Sequence, residues 1–259
     1  MTDPEPRLRG ERLHVTRGGK EILRGVDIDA RSGTVLAVLG PSGAGKSTLF
    51  RALVGELPTA SGLVSLDGTD VSRWPLWRRS RAGIGYVPQT PSVLWNLTVR
   101  GNLAAYHTIV HDDPGDTRAH ARRVELEDRL DVPAGELSAG ERRRLELARA
   151  LVRRPRVLIC DEPFAGVDPV GSARIARLLA ELAAEGVAIV LADHHVAEAL
   201  ALATQAMLLL DGKVATLGDP ASFQEHPLVR GRYLGSWART TLPPPPPSRP
   251  APSHETGEK

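Results

Sequence analysis

The chain has 259 residues, of which 41% are hydrophobic and 25% charged, and its formal net charge is +2. This composition is typical of a soluble globular protein, and the length allows one large α/β domain with or without an insertion. Aromatic residues make up only 4% of the chain, which argues against a base-stacking surface for single-stranded nucleic acid. The nearly balanced charge gives no reason to expect a polyanionic binding partner, so we expect no nucleic-acid partner.

The cysteine content and the N-terminal sequence point to a cytoplasmic protein. The single cysteine, Cys160, cannot form an internal disulfide, as expected in a reducing compartment. The first ten residues, MTDPEPRLRG, lack the apolar core of a signal peptide. No run approaches the roughly 18 apolar residues that a membrane span needs. Two arginine groups are expected to lie on solvated helix faces: Arg78, Arg79 and Arg81, and Arg142, Arg143 and Arg144.

Short β-rich runs alternate with helical patterns along the chain. The runs lie at 34–40, 62–68, 84–89, 157–163 and 187–194. Continuous apolar strands separated by helices predict a parallel sheet that is covered on both faces. Asp211 and Gly212 lie between two apolar runs and predict a hairpin at the edge of the fold. The predicted fold class is therefore α/β, with a mainly parallel sheet and an antiparallel β edge.

Residues 90–154 interrupt the strand pattern. They contain helical patterns around 98–110 and 116–130, a polar loop at 111–116, and a further helix after Ser138. We interpret this stretch as a helical subdomain inserted into a core formed by residues 1–89 and 155–240. Residues 241–259 include five consecutive prolines and few apolar residues, which predicts an extended, disordered tail.

The strongest local signal is a glycine-rich loop, 40-GPSGAGKST-48, which follows an apolar run and precedes a helical one. It matches the G-x-x-x-x-G-K-S phosphate loop in the strand–loop–helix context that this motif requires. Lys46 is expected to contact the β- and γ-phosphates, and the Ser47 hydroxyl is expected to bind Mg²⁺. The predicted nucleotide-binding residues of the loop are Gly40, Pro41, Ser42, Gly43, Ala44, Gly45, Lys46, Ser47 and Thr48.

An acidic pair ends the apolar run 157-VLICDEP-163. Asp161 is predicted at the carboxyl end of a strand, where open α/β sheets bind ligands, and it suits the Mg²⁺ shell. The adjacent Glu162 is placed to polarise an attacking water as a general base. Acidic strand ends are common, but together with a phosphate loop this pair predicts hydrolysis of a nucleoside triphosphate.

The segment 137-LSAGE-141 predicts a second helix N-terminus that is suited to an anion. Ser138 can cap this helix, with Glu141 completing an S-x-x-E capping box. Capping alone does not require Gly140, whose bare backbone would allow a phosphate to approach the helix end closely. The residues alone leave both interpretations open.

The ordered set of motifs resembles the nucleotide-binding subunit of an ATP-binding-cassette (ABC) transporter over roughly residues 7–237. The motifs are GPSGAGKST, 86-YVPQ-89, LSAGE, CDEP, 166-GVDP-169 and Asp193-His194. The resemblance implies a phosphate-loop NTPase core, ATP and Mg²⁺ as cofactors, ATP hydrolysis, and separate integral-membrane permease subunits. It also implies a peripheral position on the inner face of the cell membrane.

The resemblance further assigns roles to residues outside the phosphate loop. It implies that Gln89 senses Mg²⁺ and the membrane partner, and that His194 contacts the γ-phosphate. Asp168 would lie in a loop that crosses a dimer interface. Ser138 and Gly140 of one subunit would contact the γ-phosphate held by a second ABC ATPase subunit in a head-to-tail pair. We expect a homodimer, with a paralogue as the alternative partner.

Two positions depart from the family pattern. Where the family has an adenine-stacking aromatic, this chain has 14-HVTRGGKE-21. We place Arg17 at the equivalent position, so that its guanidinium, or alternatively His14, would stack on adenine; loose binding of the base is the other possibility. Ala139 replaces a signature glycine, which is costly only if the backbone φ is positive.

Within the family, the chain is more similar to the ATPases of lipopolysaccharide export, and then to those of branched-chain amino-acid importers. The segments that carry this similarity are 75–89, 140–151, 161–169, 193–200 and 228–235. We expect the permease to dock on 93–106, where Trp95, Leu97 and Tyr106 would be partly exposed; packing of these residues in the core is the alternative. The competing functions are an importer ATPase, a soluble ABC ATPase acting on ribosomes or DNA, and a catalytically idle cassette.

Overall fold

The computed structural model describes residues 6–111, 113 and 115–235. The strands are β1 Leu8–Arg17, β2 Lys20–Ala30, β3 Val35–Leu39, β4 Ser61–Leu66, β5 Thr69–Asp70, β6 Ile84–Val87, β7 Val157–Asp161, β8 Ala188–Ala192, β9 Gln205–Leu210 and β10 Lys213–Gly218. The helices are α1 Lys46–Leu53, α2 Leu76–Arg81, α3 Val99–His111, α4 Thr117–Arg123, α5 Ala139–Leu151, α6 Pro169–Ala184, α7 Val196–Leu202, α8 Pro220–Glu225 and α9 Pro227–Val229. The predicted tail, 241–259, lies outside the described residues.

The central sheet contains six strands in the order β10-β9-β3-β8-β7-β6. Strands β9, β3, β8, β7 and β6 pair in parallel, and β10 pairs antiparallel to β9. Every residue of β3, β7 and β8 is buried, as expected for a parallel sheet covered on both faces. The edge hairpin turns at Asp211 and Gly212, whose φ angles of 49° and 76° suit a type I′ turn. The predicted α/β class and antiparallel edge are confirmed.

A second, antiparallel sheet has the order β2-β1-β4-β5. The run at 62–68, which we expected in the parallel sheet, forms most of β4 and pairs with β1 instead. Strands β1 and β2 were not predicted from the sequence. Their pairing shifts register between Gly10 and Leu13 and again between Val15 and Thr16, and such bulges interrupt the alternation of buried and exposed residues that marks a strand.

The helices between β6 and β7 pack against one another, and α5 also contacts β6 of the central sheet. Leu103 of α3, Ala121 of α4 and Leu145 of α5 belong to the same buried apolar cluster as Leu158 of β7. The pattern at 116–130 forms α4 and a separate 3₁₀ turn rather than one helix. Glu125 has a φ of 55°, a left-handed conformation that a continuous helix cannot contain. The limits of the inserted subdomain, 90 and 154, stay a prediction.

The expectation that both arginine groups are solvated is wrong for three of the six side chains. Arg79, Arg143 and Arg144 are only 2%, 6% and 6% exposed. Arg79 donates hydrogen bonds to the carbonyls of Ser72, Ala52 and Leu53 and to that of Trp74. Arg144 likewise donates to the carbonyls of Val124 and Glu125. Because a guanidinium has five N–H donors, it can be buried where helix ends and turns leave several carbonyls without a partner.

Candidate nucleotide-binding site

The phosphate loop connects β3 to α1 at the carboxyl edge of the central sheet. Gly40 packs so tightly that a Cβ atom there would lie 2.2 Å from the carbonyl oxygen of Leu209. Gly45, the N-cap of α1, has a φ of 108°, in a region that L-residues with side chains rarely adopt. Both glycines are therefore required by the backbone path that directs the loop around the start of α1.

Lys46 is the first residue of α1 and is 7% exposed. Its Nζ atom donates to the carbonyl oxygens of Gly40 at 2.6 Å and Pro41 at 3.1 Å. Burial lowers the pKa of Lys46, and the negative charges of Glu162 and Asp161 oppose that shift. The loop thus holds the ammonium group against its own backbone, beside two carboxylates.

Two oxygen ligands suited to a divalent cation lie next to each other. Asp161, at the end of β7, is 2% exposed, and burial raises the pKa of its carboxyl while a hydrogen bond from the Ser47 side chain opposes this. A hydroxyl and a carboxylate are hard oxygen ligands of the kind that Mg²⁺ prefers. Within the described ranges no cluster of three or more His, Cys, Asp or Glu could hold a metal. A Mg²⁺ site in this chain would therefore combine a few protein oxygens with oxygens of water and phosphate, as is usual for this ion.

Glu162 and His194 meet at the ends of neighbouring strands. The Nε2 atom of His194 lies 3.0 Å from Oε1 of Glu162, whose side chain is 12% exposed. Glu162 has a φ of 55°, and its backbone N–H donates to the carbonyl of Ala192 at 2.7 Å. Positive φ at a residue with a long side chain is uncommon and is concentrated at functional sites. Here it accompanies a carboxylate directed into the cavity that the phosphate loop lines.

One cavity of about 310 Å³ brings most of the predicted residues together. It is lined by Arg17, Ile22, Ser42, Gly43, Gly45, Lys46, Ser47, Thr48, Gln89, Glu162 and His194. The alternative stacking residue, His14, does not line this cavity, and its Nδ1 atom lies 2.8 Å from Oε1 of Glu21. A second cavity, of about 480 Å³, lies beside residues 55–62 and is lined by none of the phosphate-loop residues. We therefore assign the nucleotide to the cavity of about 310 Å³.

The second loop forms the predicted capping box. The Ser138 hydroxyl accepts a hydrogen bond from the backbone of Glu141, and the Glu141 carboxylate accepts one from the backbone of Ser138. Ala139 is the first residue of α5 and is not among the described non-glycine residues with positive φ. The backbone at this position is therefore compatible with alanine.

Seven predicted residues do not line the cavity of their own subunit. Four of them belong to the phosphate loop or to the end of β7: Gly40, Pro41, Ala44 and Asp161. The other three, Ser138, Gly140 and Asp168, lie at the starts of α5 and α6. Gly140 and Asp168 are neighbours, because a Cβ at Gly140 would lie 3.9 Å from the Asp168 carboxylate and 3.1 Å from Cγ1 of Val167. Asp168 caps α6 by accepting a hydrogen bond from Gly171. These residues form a second group on the same chain.

Arg143 connects the two groups, and its sequence position gave no indication of this. Its guanidinium donates to the carbonyl of Pro88 at 2.8 Å and to that of Glu162 at 3.0 Å. It also forms an ion pair of 2.9 Å with Glu146, in which both side chains are almost fully buried. The i, i+3 spacing could have indicated the ion pair. The carbonyl contacts depend on the fold.

Asp193 was noted only as part of a motif, but it joins the turns that follow β7 and β8. The carboxylate is 1% exposed and accepts hydrogen bonds from the backbone N–H groups of Phe164 and His195, each at 2.8 Å. It also lies 2.8 Å from Nδ1 of His195. By fixing both turns, Asp193 holds Glu162 and His194 close to each other.

Comparison with known families identifies this arrangement. A family model described as ABC transporter matches residues 23–165, more than half of the chain, including the phosphate loop, LSAGE and the acidic pair. The chain belongs to the ABC transporter family. It is the ATP-binding, ATP-hydrolysing subunit of such a transporter.

Curated ABC proteins align with this cassette over most of their length. A probable ABC transporter ATP-binding protein of Azorhizobium caulinodans is 40% identical over 227 residues, which cover 84% of this chain and 79% of that protein. The lipopolysaccharide export system ATP-binding protein LptB of Acidithiobacillus ferridurans is 37% identical, with 88% and 96% covered. LptB of Escherichia coli K12 is also 37% identical, with 88% and 97% covered.

Solved structures of ABC cassettes have the same fold. An ATP-binding cassette of an ABC transporter in its ADP conformation gives a TM-score of 0.81 at 26% identity and covers 90% of this chain and all of that one. A nucleotide-free cassette gives 0.79, also at 26%, with 88% and 98% covered. None of the helices in the described ranges of our cassette is long and apolar enough to cross a membrane.

Proposed function

We propose that this ABC ATPase uses Mg-ATP to power separate permease subunits in the export of a lipopolysaccharide-like amphiphile. The proposal of Mg-ATP hydrolysis is supported by one observation. A single cavity is lined by Lys46, Ser47, Gln89, Glu162 and His194, and Asp161 lies beside Ser47. The similarity to LptB, which extends over nearly the whole length of that protein, supports the cargo class.

In the proposed reaction, the residues that line the cavity and Asp161 beside it have distinct tasks. Lys46 binds the β- and γ-phosphates, and Glu162 orients the attacking water and accepts its proton. His194 contacts the γ-phosphate and, through its contact with Glu162, orients that carboxylate. Ser47, Asp161 and Gln89 would hold Mg²⁺, which neutralises phosphate charge when it is bound.

A second copy of the chain completes the site in this proposal. Ser138, Gly140 and Asp168 lie outside the cavity of their own subunit, and the bare backbone of Gly140 lies beside Asp168. In a head-to-tail homodimer, Ser138 and Gly140 of each copy would contact the γ-phosphate held by the other. The helix N-terminus at Ser138 then meets a negative charge.

The permease would dock beside Gln89, at the inner face of the cell membrane. Leu94, Trp95 and Leu97 are 44%, 48% and 41% exposed, whereas Tyr106 is half-buried beneath the guanidinium of Arg149. Exposed apolar side chains of this size favour a protein interface over core packing. Arg143 binds the Pro88 carbonyl and the Glu162 carbonyl, so the permease contact and the catalytic carboxylate share a rigid support.

The enzymatic part and the dimer are tested together with Glu162→Gln. The purified variant should retain ATP, lose hydrolysis and form an ATP-dependent dimer in size-exclusion chromatography. Adding Ser138→Arg to the Glu162→Gln variant should abolish the dimer. It should leave ATP binding intact, because Ser138 does not line the cavity of its own subunit. Unchanged hydrolysis by Glu162→Gln would refute its assigned role.

The cargo class is tested separately, by expressing the chain in Escherichia coli cells depleted of their own LptB. Restored growth that depends on Lys46 would support coupling to a lipopolysaccharide-export permease. If the purified chain hydrolyses ATP but neither restores growth nor co-purifies with that permease, the export assignment is refuted. The ATPase assignment would stand.

A further inference from the structure

A long segment of the chain carries no negative charge. The chain has 31 acidic residues among 259, about one in eight, yet residues 71–111 contain no Asp or Glu. The same segment contains five arginines and three of the four tryptophans of the chain. It is therefore both cationic and rich in the aromatic side chain that favours polar–apolar interfaces.

Part of this segment forms an exposed cationic and apolar surface at α2. Trp77 is 57% exposed and Leu76 39%. The guanidinium of Arg78 lies 4.0 Å from the centre of the Trp74 ring, and that of Arg81 lies 5.3 Å from the centre of the Trp77 ring. We call Arg73, Leu76, Trp77, Arg78 and Arg81 the α2 patch.

The cations of the α2 patch are exposed, and the negative charge of Asp70 interacts with the positive charge of Arg73. Arg73, Arg78 and Arg81 form no salt bridge with any residue in the described ranges. The nearby Asp70 accepts hydrogen bonds from the side chain and backbone of Ser72. The three guanidinium groups therefore have donors available for an external anion, and Arg79 between them is buried and bonded to backbone carbonyls.

We propose that the α2 patch binds anionic phospholipid headgroups directly. A guanidinium can bind phosphate oxygens through two parallel N–H donors. An exposed indole and a leucine beside it can enter the headgroup region, where tryptophan is favoured. Stacking of Arg81 on Trp77 places the cation and the apolar ring at one point of the surface, which suits a boundary between charged headgroups and acyl chains. Residues 71–111 themselves contribute no carboxylate that an anionic surface would repel.

The expected strength is modest and depends on charge. Each arginine near an anionic leaflet raises the partition coefficient by about fivefold. The effect is screened at high ionic strength, since the cations are exposed. The α2 patch thus predicts reversible binding that adds to, and does not require, the permease contact at Leu94, Trp95 and Leu97.

Flotation of the full chain with lipid vesicles tests the proposal in the absence of any permease. Vesicles in which about a third of the phosphatidylcholine is replaced by phosphatidylglycerol should bind at least about tenfold more protein than pure phosphatidylcholine vesicles. Arg78→Gln with Arg81→Gln should reduce that binding by about 25-fold, whereas Arg78→Lys with Arg81→Lys should retain most of it. Trp77→Ala should also weaken it.

The hairpin β9–β10 offers a matched control. Lys213 is exposed there, and Leu217 is 51% exposed, so Lys213→Gln with Leu217→Ala removes a similar cation and apolar group elsewhere. This control should bind vesicles like the unaltered chain, and all variants should keep their ATPase activity and unfolding midpoint. Equal binding to both vesicle types, or α2 variants that bind like the control, would overturn the proposal. So would α2 variants that lose co-purification with a permease but still bind vesicles, since the patch would then be a protein-docking surface.

Discussion

The Nε2 atom of His194 lies 3.0 Å from Oε1 of Glu162. The contact follows from strand pairing, because Asp161 at the end of β7 is opposite Ala192 at the end of β8. Each functional residue comes just after its strand, so the parallel register brings the imidazole to the carboxylate. The Asp193 carboxylate then fixes the two turns.

Replacing His194 with alanine should lower the turnover number for ATP by about a hundredfold. The change removes both the proposed γ-phosphate contact and the partner of Glu162, but it leaves the phosphate loop intact. Steady-state hydrolysis, with ATP affinity measured separately, checks this. His195→Ala is the control, because His195 does not line the cavity; an equal loss in both variants would contradict the role of His194.

Replacing Ala139 with glycine should change ATPase activity by less than about twofold. The residue is the first of α5 and is not among the described positions with positive φ, so glycine gains no conformational advantage there. The free energy of unfolding should fall by about 0.5 to 1 kcal/mol, because glycine loses more backbone entropy in a helix. Urea unfolding and hydrolysis assays test both. A sharp rise in activity would show that the alanine weakens the signature.

Replacing Arg143 with alanine should lower the free energy of unfolding by about 3 to 5 kcal/mol, since it leaves the buried Glu146 carboxylate without its cation. Hydrolysis should fall as well, because the carbonyls of Pro88 and Glu162 lose the hydrogen bonds from Arg143. Urea unfolding of Arg143→Leu, of Glu146→Leu and of the double variant that combines them measures the coupling free energy. The double variant should cost less than the sum of the single changes; strict additivity would argue against the pair.

The Cys160 thiol should be unreactive in the native protein at pH 8. Cys160 is fully buried in β7, and burial raises its pKa to about 12, so almost no thiolate is present for alkylation. Labelling with iodoacetamide should be slow in buffer, complete in urea, and slower still with ATP bound. Because the chain has one cysteine, labelling would report opening of the central sheet. Rapid native labelling would contradict its burial.

Local patterns were sufficient for the elements whose chemistry is local. The phosphate loop is a continuous strand–loop–helix segment, so Lys46 and Ser47 could be placed from sequence. The capping box of α5 depends only on Ser138 and Glu141, three residues apart. The β9–β10 hairpin could be predicted because its turn needs two residues that tolerate positive φ.

The sequence by itself therefore determined the α/β class and most residues that line the cavity, because each motif encodes its own backbone geometry. Only the tertiary structure decided which arginines are buried. Arg79 and Arg143 each bind carbonyls of residues that are distant in sequence. The sequence of an arginine-rich helix therefore predicts solvated side chains, because it does not show these acceptors. Tertiary structure likewise decided that Arg17, and not His14, lines the cavity, because the pairing of β1 with β2 sets His14 against Glu21.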